Sequence, residues 1–89
     1  MNESLPHVNA DVVYQQVGED LVLVHLKTNQ IFALNPTGGR FWELLTDGLD
    51  RPAIEEALLE EFEVTPGQLE REIDQLLAAL AREGLVRAA

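Results

Sequence analysis

Eighty-nine residues make one small domain at most; folding at this size buries only about 60–65% of the surface an unfolded chain exposes, so one modest core is available. Hydrophobic residues at 46% and charged residues at 25% sit near the globular average, which argues against disorder. The absence of cysteine excludes a disulfide scaffold, a cysteine nucleophile, thiolate zinc sites and iron–sulfur clusters. The longest apolar runs, such as Leu21-Val22-Leu23-Val24, are far too short to cross a bilayer, and the polar, acidic start Met1-Asn2-Glu3-Ser4 does not resemble a secretory signal. A soluble, cytoplasmic protein with no membrane partner is expected.

The formal net charge is −10 and both halves of the chain are acidic, with 6 acidic and 2 basic side chains in residues 1–49 and 10 and 4 in residues 50–89. Such a surface repels phosphate backbones, whereas nucleic-acid binding calls for a basic patch. The charge serves solubility, or it steers a basic partner.

In chain order, residues 1–10 are expected to be a mobile N-terminal segment, with the domain over 11–87. Val12–Val17 and Leu21–Thr28 have strand character, separated by a Gly18-Glu19-Asp20 turn. A third strand, Gln30–Leu34, follows Lys27-Thr28-Asn29, where asparagine suits a left-handed position closing a three-residue hairpin loop. That loop length sets Leu26 opposite Gln30, Val24 opposite Phe32 and Val22 opposite Leu34. The predicted core face is therefore Val22, Val24, Leu26, Phe32 and Leu34, with Leu21, Leu23, His25, Ile31 and Ala33 on the other. A slip of one residue would exchange the two faces.

Asn35-Pro36 is a helix start, with asparagine as N-cap and proline in the first turn; Phe41, Trp42, Leu44 and Leu45 follow at helical spacing, and Asp47-Gly48 ends the helix. Asp50 caps a second helix whose Ile54, Leu58 and Phe62 share one face. Thr65-Pro66-Gly67-Gln68 has capping-box spacing, with Val64 and Leu69 placed as a hydrophobic staple. Leu69, Ile73, Leu76, Leu77 and Leu80 form the apolar stripe of this third helix, and Gly84-Leu85 can close it as a Schellman motif. The sum is an α+β, winged-helix-like domain, a three-stranded antiparallel sheet followed by three helices. The third strand carries no proline or charge to block its edge. Natural sheets usually blunt such an edge, so it is either a docking site for another chain or covered by the chain's own loops or by Leu5-Pro6-His7-Val8.

Chemistry is sparse. His7 and His25 are isolated histidines without a spaced carboxylate cluster, so no metal site is expected. Ser4, the only serine, lies in the N-terminal tail. Glu55, Glu56, Glu60 and Glu61 fall opposite the apolar face of the second helix, as a solvated run does. Gly38-Gly39 lacks the Walker lysine and the dinucleotide spacing, and close backbone packing between strand and helix accounts for it. Phe41 and Trp42 are expected as core anchors. No catalytic residue and no cofactor are predicted. The winged-helix alternative would send the third helix into a DNA groove, but Glu70, Glu72, Asp74 and Glu83 outnumber Arg71 and Arg82 there.

Three stretches resemble the PqqD-like family of recognition elements for ribosomally made, post-translationally modified peptides. They are Leu21-Val22-Leu23-Val24, the run Lys27-Thr28-Asn29-Gln30-Ile31-Phe32-Ala33-Leu34-Asn35-Pro36-Thr37-Gly38-Gly39, and Phe41-Trp42-Glu43-Leu44-Leu45. Leu58 to Phe62, Thr65-Pro66 and Glu83-Gly84-Leu85-Val86 extend the resemblance over residues 10–87. Asn29 departs from it, since many relatives have glycine there. Within the family, Leu34-Asn35-Pro36-Thr37-Gly38 and the stand-alone length look most like the leader-binding protein of lasso-peptide clusters. The alternative is the chaperone of pyrroloquinoline quinone synthesis, which presents its peptide to a radical SAM enzyme.

The resemblance implies a non-catalytic protein whose partners are a precursor leader peptide and a leader peptidase or other maturation enzyme. It implies that the leader adds as a strand along Gln30, Ile31, Phe32, Ala33 and Leu34, against the third helix. The expected walls of that cleft are Phe32, Leu34, Ile73, Leu76, Leu77 and Leu80, with Glu72 and Asp74 as possible steering charges for a basic leader; each wall residue also suits the plain core, and for Ile73 and Leu77 the core is the favoured reading.

Overall fold

A computed structural model describes residues 5–87. In chain order the elements are β1 (His7–Val8), β2 (Val12–Val17), β3 (Asp20–His25), β4 (Gln30–Leu34), α1 (Pro36–Thr46), α2 (Arg51–Glu61), α3 (Pro66–Arg82) and β5 (Val86–Arg87). The fold is α+β: a three-stranded antiparallel sheet in the order β2-β3-β4, followed by three helices.

The helix boundaries follow local chemistry. Asn35, Asp50 and Thr65 each accept from the backbone N–H of the third residue of their helix, those of Gly38, Ala53 and Gln68, and each is followed by a proline in the first turn, where the missing N–H leaves no bond unmade. Helix α3 ends in the Schellman arrangement. Gly84, at φ 74°, donates to Ala81 O at 3.1 Å and Leu85 donates to Leu80 O at 2.9 Å, and Leu85 is buried.

The hairpin register differs by one residue from the sequence expectation. His25 stands opposite Gln30, Leu23 opposite Phe32 and Leu21 opposite Leu34. The predicted pairing of Leu26 with Gln30 does not occur, and β3 stops at His25 rather than Thr28. The connecting loop has four residues, Leu26–Asn29, closed by a bond from Asn29 N–H to His25 O of 2.8 Å. Asn29 does hold the left-handed position, at φ 60°. With one more loop residue than expected, Leu21, Leu23 and His25 turn to the core beside Phe32 and Leu34, while Val22, Val24, Ile31 and Ala33 turn outward. Leu26, expected in the core, is exposed.

Helix α1 explains why Leu21 faces inward. A Cβ placed on Gly39 would lie 2.9 Å from Leu21 Cβ, so the helix backbone rests directly on β3. The expectation of close packing at Gly38-Gly39 is met here. The core below this contact contains Phe41, Trp42, Ile54, Leu58, Leu69, Ile73, Leu80 and Leu85. The Tyr14 ring stands edge-on to Trp42, with centroids 6.3 Å apart.

Residues 5–10 have a place that the sequence reading did not give them. His7 and Val8 pair with Arg87 and Val86 in a second, two-stranded sheet, supported by bonds from Asn9 to Leu85 O and Gly84 O. Ser4 lies outside the described residues.

Candidate functional site

Backbone geometry picks out which groups of β4 are available. Leu26 N–H donates to Asp11 O at 2.8 Å, so Leu26 points its main chain toward β2. Successive residues of a strand alternate sides, which directs Val24 and Val22 toward β2 and His25, Leu23 and Leu21 toward β4. Their partners Gln30, Phe32 and Leu34 are then used within the sheet. Ile31 and Ala33 are left with N–H and C=O groups facing the outer edge. Among the described residues no strand covers that edge, because β1 pairs with β5 instead. The alternative that Leu5-Pro6-His7-Val8 seals it is thereby removed. No charge or proline interrupts β4.

Beyond the C-terminal end of β4 lies a cleft of about 310 Å³, lined by Asn35, Thr37, Gly38 and Phe41 at the start of α1, Leu58 of α2, and Leu69, Glu72, Ile73, Gln75 and Leu76 of α3. Its floor is apolar because Phe41, Leu58, Leu69 and Ile73 are core residues whose outer surfaces reach it. Its rim is polar. The Glu72 side chain has no hydrogen-bond or ion-pair partner among the described residues, whereas Asp74 forms an ion pair with Arg51, 2.8 Å from Oδ1 to Nη2.

Of the residues proposed as walls, Ile73 and Leu76 line the cleft. Phe32 and Leu34 are half-buried on the core face of β4, against the same core. Leu77 packs on the core as a half-buried residue and Leu80 is fully buried within it; neither is among the lining residues. Phe41 and Leu58 escaped the sequence reading as lining residues because they were assigned wholly to the core, whereas Leu69, at the start of the α3 flank expected to face the leader, does line the cleft. Arg51 escaped too, although its spacing to Glu55 is that of a helical ion pair.

The face of the sheet turned away from the helices is also apolar. Val13, Val24 and Ile31 are cross-strand neighbours there, as are Val22 and Ala33, with Val17 at the hairpin end. Ile31 is 69% exposed and Val17 56%. This face abuts the free edge, since Ile31 and Ala33 belong to both.

Among the described residues no group of three or more His, Cys, Asp or Glu is placed to hold a metal ion, and no helix is long and apolar enough to cross a membrane. The Arg40 guanidinium is pushed above its usual range by its hydrogen bond to Glu61 and remains a cation throughout.

No curated protein matches the chain. Two solved structures resemble it closely. TbiB1 in complex with the TbiA(beta) leader peptide is 32% identical, with a TM-score of 0.83 over 90% of this chain and 93% of that one. A lasso peptide synthetase B1 complexed with the leader peptide is 23% identical and shares the fold, with a TM-score of 0.83 over 93% of this chain and 98% of that one. The family model for coenzyme PQQ synthesis protein D (PqqD) matches residues 20–86. With an open-edged sheet, three capped helices and this match over most of its length, the chain belongs to the PqqD family.

Proposed function

We propose that this protein is a non-catalytic adaptor of lasso-peptide biosynthesis in the cytoplasm. It takes the leader of a ribosomally made precursor as a fourth strand beside β4 and delivers it to a maturation enzyme, a leader peptidase. The observation that carries this reading is the uncovered edge at Ile31 and Ala33 beside an apolar cleft. The likeness to TbiB1, whose structure holds a leader peptide, supports it.

Strand addition alone is too weak. Two N–H and two C=O groups at Ile31 and Ala33 offer about four hydrogen bonds, or about 2–6 kcal/mol net. Association and ordering of a flexible peptide cost about 4–15 kcal/mol. Leader side chains must therefore enter the cleft, each contributing about 1.5–3 kcal/mol. Main-chain pairing is largely blind to sequence, so these anchors also supply selectivity, with Ile73, Leu76 and Phe41 as their contacts. Glu72, which lines the cleft and has no side-chain partner among the described residues, is the carboxylate placed to attract a basic leader residue; Asp74 is engaged by Arg51.

Delivery needs a second surface, because the leader occupies the edge and the cleft. The exposed outer face around Val13, Val24 and Ile31 meets that need: it continues onto any strand added at β4, so an enzyme docked there touches protein and leader together.

Isothermal titration with the synthetic leader of the precursor encoded beside this chain tests the reading. Saturable binding is expected, weakened at least tenfold when one leader anchor is truncated to alanine. An isotherm indifferent to that truncation rejects the cleft. The family match supports a second reading, a chaperone that presents its peptide to a radical SAM enzyme; tighter binding of a PQQ precursor than of a lasso leader would favour it.

A further inference from the structure

Arg51 is an unfavourable residue for its position. It is the first residue of α2, where unpaired N–H groups create a positive potential that disfavours a cation. It is also buried, at 6% exposure, which removes the water that would solvate its charge. Groups on α2 and α3 offset both effects. Nε donates to Glu55 Oε2 at 2.8 Å, one turn along the same helix. Nη2 forms an ion pair with Asp74 Oδ1 at 2.8 Å and donates to Glu70 O at 3.4 Å, both on α3.

The two α3 contacts bracket one turn of that helix, residues 70 to 74. This turn carries Glu72 and Ile73, and the remaining α3 residues of the cleft, Leu69, Gln75 and Leu76, lie within two residues of it. The opposite side of the cleft includes Leu58 of α2. A buried guanidinium with a planar fork of donors thus ties the start of α2 to the part of α3 that forms the wall. Arg51 is itself absent from the lining.

The geometry points to Arg51 as a positioning residue for peptide capture: with Asp74 it fixes the 70–74 turn, so that the cleft is formed before a leader anchor arrives. This rests on the leader-binding reading above. A preformed wall lowers the ordering cost that binding must overcome. The role also accounts for a cation held where both burial and the helix dipole oppose it.

The test is a double-mutant cycle between the protein and the peptide. Asp74→Asn and Arg51→Met are titrated with the full leader and with the same peptide lacking the anchor whose truncation costs wild type most. Thermal melting runs alongside. Asp74→Asn keeps an acceptor at the exposed end of the bridge, so it reports on folded protein even if Arg51→Met does not fold. Binding of the full leader is expected to weaken about tenfold in Asp74→Asn, while the anchor-less peptide binds variant and wild type alike. A steering charge would affect both peptides equally, and a purely structural role would lower the melting point without selectivity between them. Either pattern, or an unchanged isotherm with the full leader, overturns the positioning role. Failure of wild type to bind any leader sinks the functional reading itself, a separate and recognisable outcome.

Discussion

Proline substitution along β4 distinguishes the free edge from the paired one within three residues. Ala33 directs its N–H outward, whereas Phe32 directs its N–H to Leu23. Ala33→Pro removes no bond of the sheet, and proline is tolerated on an edge strand where its nitrogen faces solvent. The variant therefore folds. The leader loses one hydrogen bond, worth about 0.5–1.5 kcal/mol net, and its carbonyl is left unpaired against the proline ring at a cost of about 1–3 kcal/mol. The sum, about 1.5–4.5 kcal/mol, weakens binding roughly tenfold to a thousandfold. Phe32→Pro instead deletes a ladder bond of the central strand and a half-buried aromatic ring, and stability falls by about 3 kcal/mol or more. Melting curves with titration of a synthetic leader separate the two effects. A folded Ala33→Pro that binds as wild type does would refute strand addition at β4. A stable Phe32→Pro beside an unfolded Ala33→Pro would refute the assignment of which groups face outward.

Other substitutions follow from the same geometry. Gly39→Ala sets a methyl 2.9 Å from Leu21 Cβ and is expected to cost about 1–3 kcal/mol, lowering the melting point by about 4–8 °C per kcal/mol; Gly67→Ala, with only Arg71 Nη1 nearby at 3.8 Å, raises stability by about 0.4–1 kcal/mol. Leu80→Ala costs about 2–5 kcal/mol of stability yet leaves leader affinity of the folded protein unchanged, whereas Leu76→Ala, at the cleft, weakens the leader about tenfold for a smaller loss of stability. Val13→Lys on the outer sheet face leaves the leader isotherm intact and slows leader removal in a coupled assay with the peptidase; equal rates would show that the enzyme docks elsewhere.

The helices were legible because each boundary is written in side-chain chemistry: Asn35, Asp50 and Thr65 as caps, prolines in the first turns, Gly84 at the end of α3. The strands were legible as strands but not in register. Both faces of β3 are aliphatic, Leu21 and Leu23 on one, Val22 and Val24 on the other, so alternation could not say which was buried. A single extra loop residue decided it, together with the contact of Gly39 on Leu21, and neither can be read from hydrophobic pattern. The β1–β5 ribbon joins two-residue strands almost eighty positions apart, too short to carry a periodic signal. The free edge of β4 was legible from the lack of charge and proline in Gln30–Leu34. The cleft was so only in part: Ile73 and Leu76 belong to a visible helical stripe, but Phe41 and Leu58 come from other helices and meet there only through packing.

The sheet has a second unprotected border. Strand β2, Val-Val-Tyr-Gln-Gln-Val, holds neither charge nor proline, and its outer main chain has no strand partner among the described residues. Two such ribbons on one small molecule would ordinarily invite copies to stack edge to edge into insoluble assemblies. The net charge of −10 opposes that at long range, since like-charged molecules repel before their ribbons meet. Colloidal behaviour should then depend on ionic strength: as counter-ions shorten the reach of the repulsion, the tendency to associate grows, and an occupied β4 removes one of the two ribbons from that process.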